Sequence, residues 1–71
     1  MNFAEALKAM KEGHKVKRQH WSGYWEYVPR KDEQSTILMH TWDGKIIDIF
    51  DTDRPEYTLN NIAAEDFEIV E

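Results

Sequence analysis

The segment TILMHTWDGKIIDIF, residues 36–50, decides the fold because it places a turn dipeptide between two apolar runs. The dipeptide is Asp43-Gly44, which favours a two-residue type I′ β-turn. We therefore predict a hairpin whose strands are residues 36–42 and 45–50. A two-residue turn also fixes the register, and the pairs expected on one face are Trp42 with Lys45, His40 with Ile47, and Leu38 with Ile49.

The other face of this hairpin is apolar as well. The pairs expected there are Thr41 with Ile46, Met39 with Asp48, and Ile37 with Phe50. An antiparallel sheet commonly packs one face on the core and leaves the other to water. Because both faces carry apolar side chains, we expect one to contact a helix and the other to contact a second copy of the chain.

The N-terminal segment has the periodicity of an amphipathic helix. Its apolar residues recur at intervals of three and four positions and are Phe3, Ala6, Leu7 and Met10. Asn2 can cap this helix with Glu5 as its partner in a capping box, and Gly13 can end it in the left-handed conformation.

The remaining elements are short. Alternating polarity predicts three further strands, at residues 14–18, 24–28 and 67–70. Residues 51–57 form an expected acidic loop, and Thr58 can cap a helical turn that runs to Ala64. Together these elements predict one α+β domain over residues 1–71, with the N-terminal helix packed on a small antiparallel sheet, a central hairpin and a short helical turn before the last strand.

Composition excludes several classes of protein. The 71 residues include no Cys, which rules out a disulfide framework and a Cys-ligated zinc site. No apolar run approaches the roughly 18 residues that a membrane span needs, and the N-terminus lacks the apolar stretch of a secretory signal. We therefore expect a soluble intracellular protein that does not enter a membrane. A chain this small buries only about 60% of its unfolded surface, so its aromatic content favours self-association.

The charges divide the chain into a basic and an acidic part. Residues 1–31 hold seven Lys or Arg and three Glu, whereas residues 32–71 hold two basic and eleven acidic residues. Such a split suits an anionic ligand on the basic part, or mutual neutralisation of the two parts. We expect the basic segment at residues 15–18 to lie beside Glu65 and Asp66 of its own or a neighbouring chain.

Motifs for catalysis and metal binding are missing from the sequence. The three His residues lack a His-x-x-x-His spacing, and no Ser or Cys pattern for nucleophilic catalysis accompanies them. An acidic run begins at Asp48, but a calcium loop counted from Asp51 would have Glu56 and Ile62 where Gly and Glu are needed. We therefore expect no enzyme activity, no metal and no cofactor.

Residues 15–27 combine the two groups that a nucleotide site needs first. Cations at Lys15, Lys17 and Arg18 precede Trp21 and further aromatic residues, which can stack on a base while a guanidinium binds phosphate. The structural alternative is that Trp21 is a core residue and Arg18 pairs with a C-terminal carboxylate.

The two ends of the chain resemble a known family. The segments are NFAEALKAMKEGHKVKRQHWSG at residues 2–23 and NNIAAEDFEIVE at residues 60–71. They are similar to the two ends of the phage Thoeris anti-defence family of the second type. The resemblance implies a sponge that binds a cyclic nucleotide immune signal, either a cyclic ADP-ribose isomer or a cyclic dinucleotide. It also implies a homo-oligomer, dimer or tetramer, with pockets at or near subunit contacts, acting in the cytoplasm of a bacterial host and encoded by a phage or prophage.

The resemblance and the residues together give a set of candidate ligand contacts. These are Arg18, Trp21, Trp25, Tyr27, Asn61 and Asp66. Trp21 would stack on a base and Arg18 would bind phosphate, while Asn61 and Asp66 could meet ribose or a base edge. A turn or cap is the structural alternative for Asp66.

A second function remains open from the sequence. The acidic part of the chain could form a protein-interaction surface, including a mimic of nucleic acid, through residues 48, 51, 53 and 56. Binding there would weaken steeply with salt, whereas a stacking pocket would depend on Trp21. Direct nucleic-acid binding is less favoured, because the chain is acidic overall.

Overall fold

The computed structural model describes residues 1–31 and 33–70, so Asp32 and Glu71 of the predicted domain lie outside the described residues. The elements in chain order are α1 (Phe3–Lys11), β1 (Lys15–Arg18), β2 (Tyr24–Val28), β3 (Thr36–His40), β4 (Ile46–Asp48), a 3-10 turn (Ile49–Asp51), α2 (Pro55–Ile62) and β5 (Phe67–Val70). The five strands form one antiparallel sheet in the order β4-β3-β2-β1-β5. The predicted α+β class is therefore confirmed. In residues 1–31 and 33–70, neither helix has the length and apolar character that crossing a membrane requires.

Helix α1 begins and ends as the sequence predicts. The Asn2 side chain accepts a hydrogen bond from the Glu5 backbone N–H at 2.9 Å, and the Glu5 carboxylate accepts one from the Asn2 backbone N–H at 3.0 Å. This reciprocal pair is the capping box. Gly13 follows the helix with a φ of +102°, a left-handed conformation that Gly adopts without a Cβ clash.

The core lies between α1 and one face of the sheet. Buried side chains from cross-strand neighbours form its central row, where Val16 faces Trp25, and Trp25 faces Met39. The full set of buried apolar residues is Ala6, Ala9, Met10, Val16, Trp25, Ile37, Met39 and Phe67. Burying the face that includes Ala6 and Met10 holds α1 on the sheet.

The predicted register of the β3–β4 hairpin is wrong by one residue. The observed pairs are Leu38 with Asp48, Met39 with Ile47, and His40 with Ile46. A one-residue shift exchanges the faces of a strand, so Ile47 lies beside buried Met39 and packs against the core.

The turn chemistry explains this difference. A type I′ turn needs a positive φ at both central residues, but among the described residues only Gly13 and Gly44 have one, Gly44 at +84°. The Thr41 N–H donates to the Lys45 carbonyl at 2.9 Å, and the Thr41 hydroxyl accepts from the Lys45 N–H at 3.0 Å. The loop therefore has three residues, 42–44, with Gly44 in the left-handed position.

Two predicted boundaries after the hairpin are also wrong. Strand β4 ends at Asp48, because the Asp48 carboxylate accepts from the Phe50 N–H at 3.0 Å and starts a 3-10 turn. Helix α2 begins at Pro55, three residues before the predicted cap at Thr58. Thr58 lies inside the helix and its hydroxyl donates to the Arg54 carbonyl at 3.1 Å.

Candidate ligand-binding site

A cleft of about 860 Å³ opens in the described part of the chain. This volume falls within the range of about 300–1,000 Å³ that is common for small-molecule sites. Three segments form its walls: the β1–β2 turn at residues 20–23, the hairpin tip at residues 41–45, and the start of α2 at residues 52–58. Trp25, Met39 and Ile47 also line it from the core face of the sheet.

Close packing holds the β1–β2 turn against β3. A Cβ on Gly23 would lie 2.0 Å from the backbone oxygen of His40, so only Gly fits at this position. Trp21 is carried by the same turn, and its backbone N–H donates to the Arg18 carbonyl at 3.1 Å. The turn therefore presents Trp21 to the cleft on a fixed backbone.

Trp21 and Trp25 form an aromatic pair beside the cleft. Their ring centroids lie 5.2 Å apart, and the Trp21 ring meets Phe67 edge-on at 6.0 Å. The Trp21 indole Nε1–H is buried and has no hydrogen-bond partner among the described residues. A buried donor without a partner costs about 1–3 kcal/mol, so Trp21 combines packing contacts with an unused polar group.

Charged groups surround the cleft mouth. Arg54 is exposed and makes no ion pair among residues 1–31 and 33–70, while Lys45 lies 3.8 Å from Asp43. The Thr41 hydroxyl donates to the Asp43 carboxylate, and this hydrogen bond lowers the pKa of Asp43. Asp43 is thus already in contact with Thr41 and Lys45, whereas the Arg54 guanidinium can bind an anion from a ligand.

Three of the predicted ligand contacts form a network beside the cleft. Arg18 Nε donates to Asp66 Oδ1 at 2.7 Å, and Arg18 Nη1 donates to Asn61 Oδ1 at 3.0 Å. Asn61 is 2% exposed. This arrangement matches the structural alternative in which Arg18 pairs with a C-terminal carboxylate. The expected contact of the basic segment with the C-terminal acidic residues is confirmed within one chain, and Lys17 also lies 3.3 Å from Glu68.

The contact between Arg18 and Asp66 makes the stability of the folded state depend on pH. The hydrogen bond from Arg18 holds the pKa of Asp66 below its ordinary value, so the ionised carboxylate stabilises the folded state. That contribution is fully present above the unfolded pKa of about 3.9 and is lost as pH falls through the lower folded value.

We expect Asp66→Asn to flatten the loss of thermal stability below about pH 4. Thermal unfolding from pH 2 to 7 tests this, with exposed Glu65→Gln as the control; parallel profiles for Asp66→Asn and wild type would contradict it.

Tyr27 lies away from the cleft. It lines a separate cavity of about 340 Å³ with α1 residues Leu7 and Lys11 and with Phe50, and the Lys11 ammonium is 5.9 Å from its ring centroid. The structure therefore brings Trp21 and Trp25 to one cavity, gathers Arg18, Asn61 and Asp66 beside it, and separates Tyr27 from both.

The sheet face opposite α1 is partly apolar and, among the described residues, partly exposed to solvent. Tyr24 stacks on His40 with ring centroids 4.2 Å apart, the Lys15 ammonium lies 4.9 Å from the Tyr24 centroid, and the His40 ring contacts Glu26. Ile46 on β4 is 59% exposed. We name this surface, formed by Lys15, Tyr24, Glu26, Leu38, His40 and Ile46, the open face.

Most of the residues that line the cleft were missed from the sequence. Three of them are Trp42, Arg54 and Tyr57, which come from the hairpin tip and the start of α2. A usable signal exists for two of them: Trp42 stands directly before the turn dipeptide, and Arg54 is the only basic residue in positions 46–71. Tyr57 offers no such signal, because its position depends on where α2 begins.

Comparison with known proteins identifies a family for this chain. A family model described as Tad2-like, Thoeris anti-defense 2-like domain, matches residues 1–70. The match covers nearly the whole chain, including every residue that lines the cleft. No curated protein matches the chain.

Proposed function

This chain belongs to the Thoeris anti-defense 2-like domain family, and from that membership we propose that it binds a cyclic nucleotide immune signal and sequesters it without catalysis. The family description gives the function class, which is anti-defence directed at Thoeris. The observation that carries the finer proposal is the cleft of about 860 Å³ beside the Trp21 and Trp25 pair. In this proposal the protein acts in the cytoplasm of the infected bacterium and is encoded by a phage or prophage.

The chemistry of the cleft supports a nucleotide. Trp21 offers an aromatic surface to the cleft, and base stacking on an aromatic side chain contributes about 1–3 kcal/mol per base. Exposed Arg54 and Lys45 line the same cleft and suit phosphate oxygens.

In this proposal Arg18, Asn61 and Asp66 have a positioning role and stabilise the part of the chain that carries Trp21. Asp66 accepts from Arg18 Nε and Nη2, Asn61 accepts from Arg18 Nη1, and the Arg18 carbonyl accepts from the Trp21 N–H. Arg18 and its two partners therefore position Trp21. The guanidinium N–H groups of Arg18 that these partners leave free remain candidates for a phosphate.

The test is calorimetry with cyclic ADP-ribose isomers and cyclic dinucleotides. We expect heat from at least one of them, and mass spectrometry of the released compound should recover it unchanged, since sequestration leaves the ligand intact. No heat from any compound, with circular dichroism showing a folded protein, would overturn the proposal. Recovery of a hydrolysed product would overturn its non-catalytic part.

We further propose that the open face joins two copies into a homo-oligomer. Its exposed Ile46 and half-buried Leu38 would be covered by a second copy, in which the Lys15 side of one sheet meets the Asp48 side of the other.

Ile46→Glu tests this assembly, since it places a charge in the proposed contact. We expect sedimentation velocity to show an oligomer for wild type and a monomer for Ile46→Glu, with similar far-UV circular dichroism. Leu59→Glu is the matched control, because Leu59 on α2 is 63% exposed and lies outside the open face. A monomeric wild type, or an Ile46→Glu variant that stays oligomeric, would contradict the assembly.

The alternative of an acidic interaction module keeps one observation in its favour. Asp51, Asp53 and Glu56 are exposed and make no ion pair among the described residues. Asp48 differs from these three residues, because its carboxylate accepts from the Thr36 hydroxyl at 2.6 Å and lies 3.6 Å from the Arg30 guanidinium. Binding of a basic protein that falls steeply with salt and survives Trp21→Ala would favour this function.

A further inference from the structure

Two aromatic side chains line the cleft while remaining largely exposed. Trp42 at the hairpin tip is 83% exposed, and Tyr57 on α2 is 58% exposed. They come from different walls of the cleft, and both present apolar surface to water. On the basis of the proposed function, we propose that Trp42 and Tyr57 clamp a nucleobase at the cleft mouth while Arg54 binds a phosphate of the same ligand.

Hydrogen bonds fix the backbone of the hairpin tip that carries the exposed Trp42. Its three-residue loop is closed by the backbone bond from Thr41 to Lys45 and by a bond from the Gly44 N–H to the Thr41 carbonyl at 3.1 Å. The Thr41 hydroxyl adds contacts to both Lys45 and Asp43. A fixed backbone lowers the entropy lost when the Trp42 ring is immobilised on a base, so the exposed ring is prepared for stacking.

The backbone at Arg54 is fixed, while its side chain makes no hydrogen bond or ion pair within residues 1–31 and 33–70. The Arg54 N–H donates to the Thr52 hydroxyl at 3.2 Å, and the Arg54 carbonyl accepts from the Thr58 N–H at 3.0 Å. A guanidinium on such an anchored backbone can form two parallel hydrogen bonds to a phosphate. Arg18 is less suited, since Asp66 already neutralises it.

The acidic groups in the cleft fit the same ligand. Asp43 is engaged by Thr41 and Lys45, so its charge is largely compensated. Asp53 is exposed beside Arg54 and makes no hydrogen bond through its side chain among residues 1–31 and 33–70. A free carboxylate accepts hydrogen bonds from ribose hydroxyls, which a nucleotide carries between its base and its phosphate. The mouth of the cleft therefore presents groups for base, sugar and phosphate.

Titration calorimetry of four proteins tests the clamp: wild type, Trp42→Ala, Tyr57→Ala and Arg54→Gln. The probes are the same cyclic ADP-ribose isomers and cyclic dinucleotides, together with adenosine as a ligand without phosphate. We expect Trp42→Ala and Tyr57→Ala to weaken binding of the cyclic nucleotide by about 5- to 100-fold each, the range that base stacking gives. Arg54→Gln should weaken the cyclic nucleotide by about tenfold or more, reduce its salt dependence, and leave adenosine unaffected.

Matched controls separate the clamp from general effects of surface change. Phe50→Ala removes an aromatic side chain that is 66% exposed outside this cleft, and Lys8→Gln removes an exposed cation on α1. Both should bind like wild type. If wild type binds but the three cleft variants bind equally well, the clamp is wrong and the proposed function stands. If wild type binds none of the probes, the proposed function and the clamp are both overturned.

Discussion

Replacing Trp21 with alanine is expected to weaken binding of a cyclic nucleotide by about 10- to 100-fold while the chain remains folded. The reason is the double role of the indole, which faces the cleft and packs on Trp25 with a centroid distance of 5.2 Å. Loss of the ring removes the stacking surface that Trp21 presents to the cleft. Titration calorimetry with the same panel of cyclic nucleotides measures the effect.

The control for Trp21 is Trp21→Phe, which keeps an aromatic face and removes the indole N–H. We expect it to bind more tightly than Trp21→Ala and more weakly than wild type, because a phenyl ring stacks on a base with less area than an indole. Circular dichroism and thermal unfolding establish that each variant is folded. Wild-type affinity in Trp21→Ala would place the ligand elsewhere and favour the acidic interaction module.

The sequence predicts α1 well because the signals that set its bounds and its apolar face are local. Its capping box joins residues three positions apart, and its apolar stripe needs only a helical period. The hairpin is different, because Asp-Gly is compatible with a two-residue turn and with a three-residue loop that has Gly in the left-handed position. The three-residue loop is the one observed, and in it the Lys45 N–H donates to the Thr41 hydroxyl. A single hydrogen bond of this kind leaves little trace in the composition, so the sequence does not reveal which loop, and hence which register, forms.

The candidate site is predicted only in part for a related reason. Trp21 could be identified because cations and aromatic residues adjoin it in the chain. Its neighbours in the cleft arrive from the hairpin tip and from α2, whose start at Pro55 places Tyr57 beside the cleft. The pairing of Arg18 with Asp66 depends on β1 and β5 being adjacent in the sheet. Forty-eight positions separate these two residues, so no local period reveals their contact.

The largest expected change in stability comes from Trp25→Ala. Trp25 is 4% exposed and lies in the middle of β2, with the rings of Phe3, Trp21 and Phe67 within 6.2 Å of its own. Truncating a buried Trp costs about 3–5 kcal/mol, through lost transfer free energy and the cavity that remains. A domain of this length has a free energy of unfolding of about 4–11 kcal/mol, so Trp25→Ala removes a large part of it. We expect the midpoint of thermal unfolding to fall by at least about 12 °C.

The three Trp residues provide their own control for this prediction. The same substitution at Trp42, which is 83% exposed, should change the free energy of unfolding by no more than about 0.5 kcal/mol. Trp21→Ala should lie between these two, because its ring is half-buried and keeps one face toward the cleft. Urea denaturation of the three variants gives the order directly. Equal destabilisation by Trp25→Ala and Trp42→Ala would mean that the hairpin tip is packed in solution, and the open clamp would then be wrong. The expected order instead assigns Trp25 to folding and leaves the Trp42 ring available for the proposed clamp, with Trp21 intermediate.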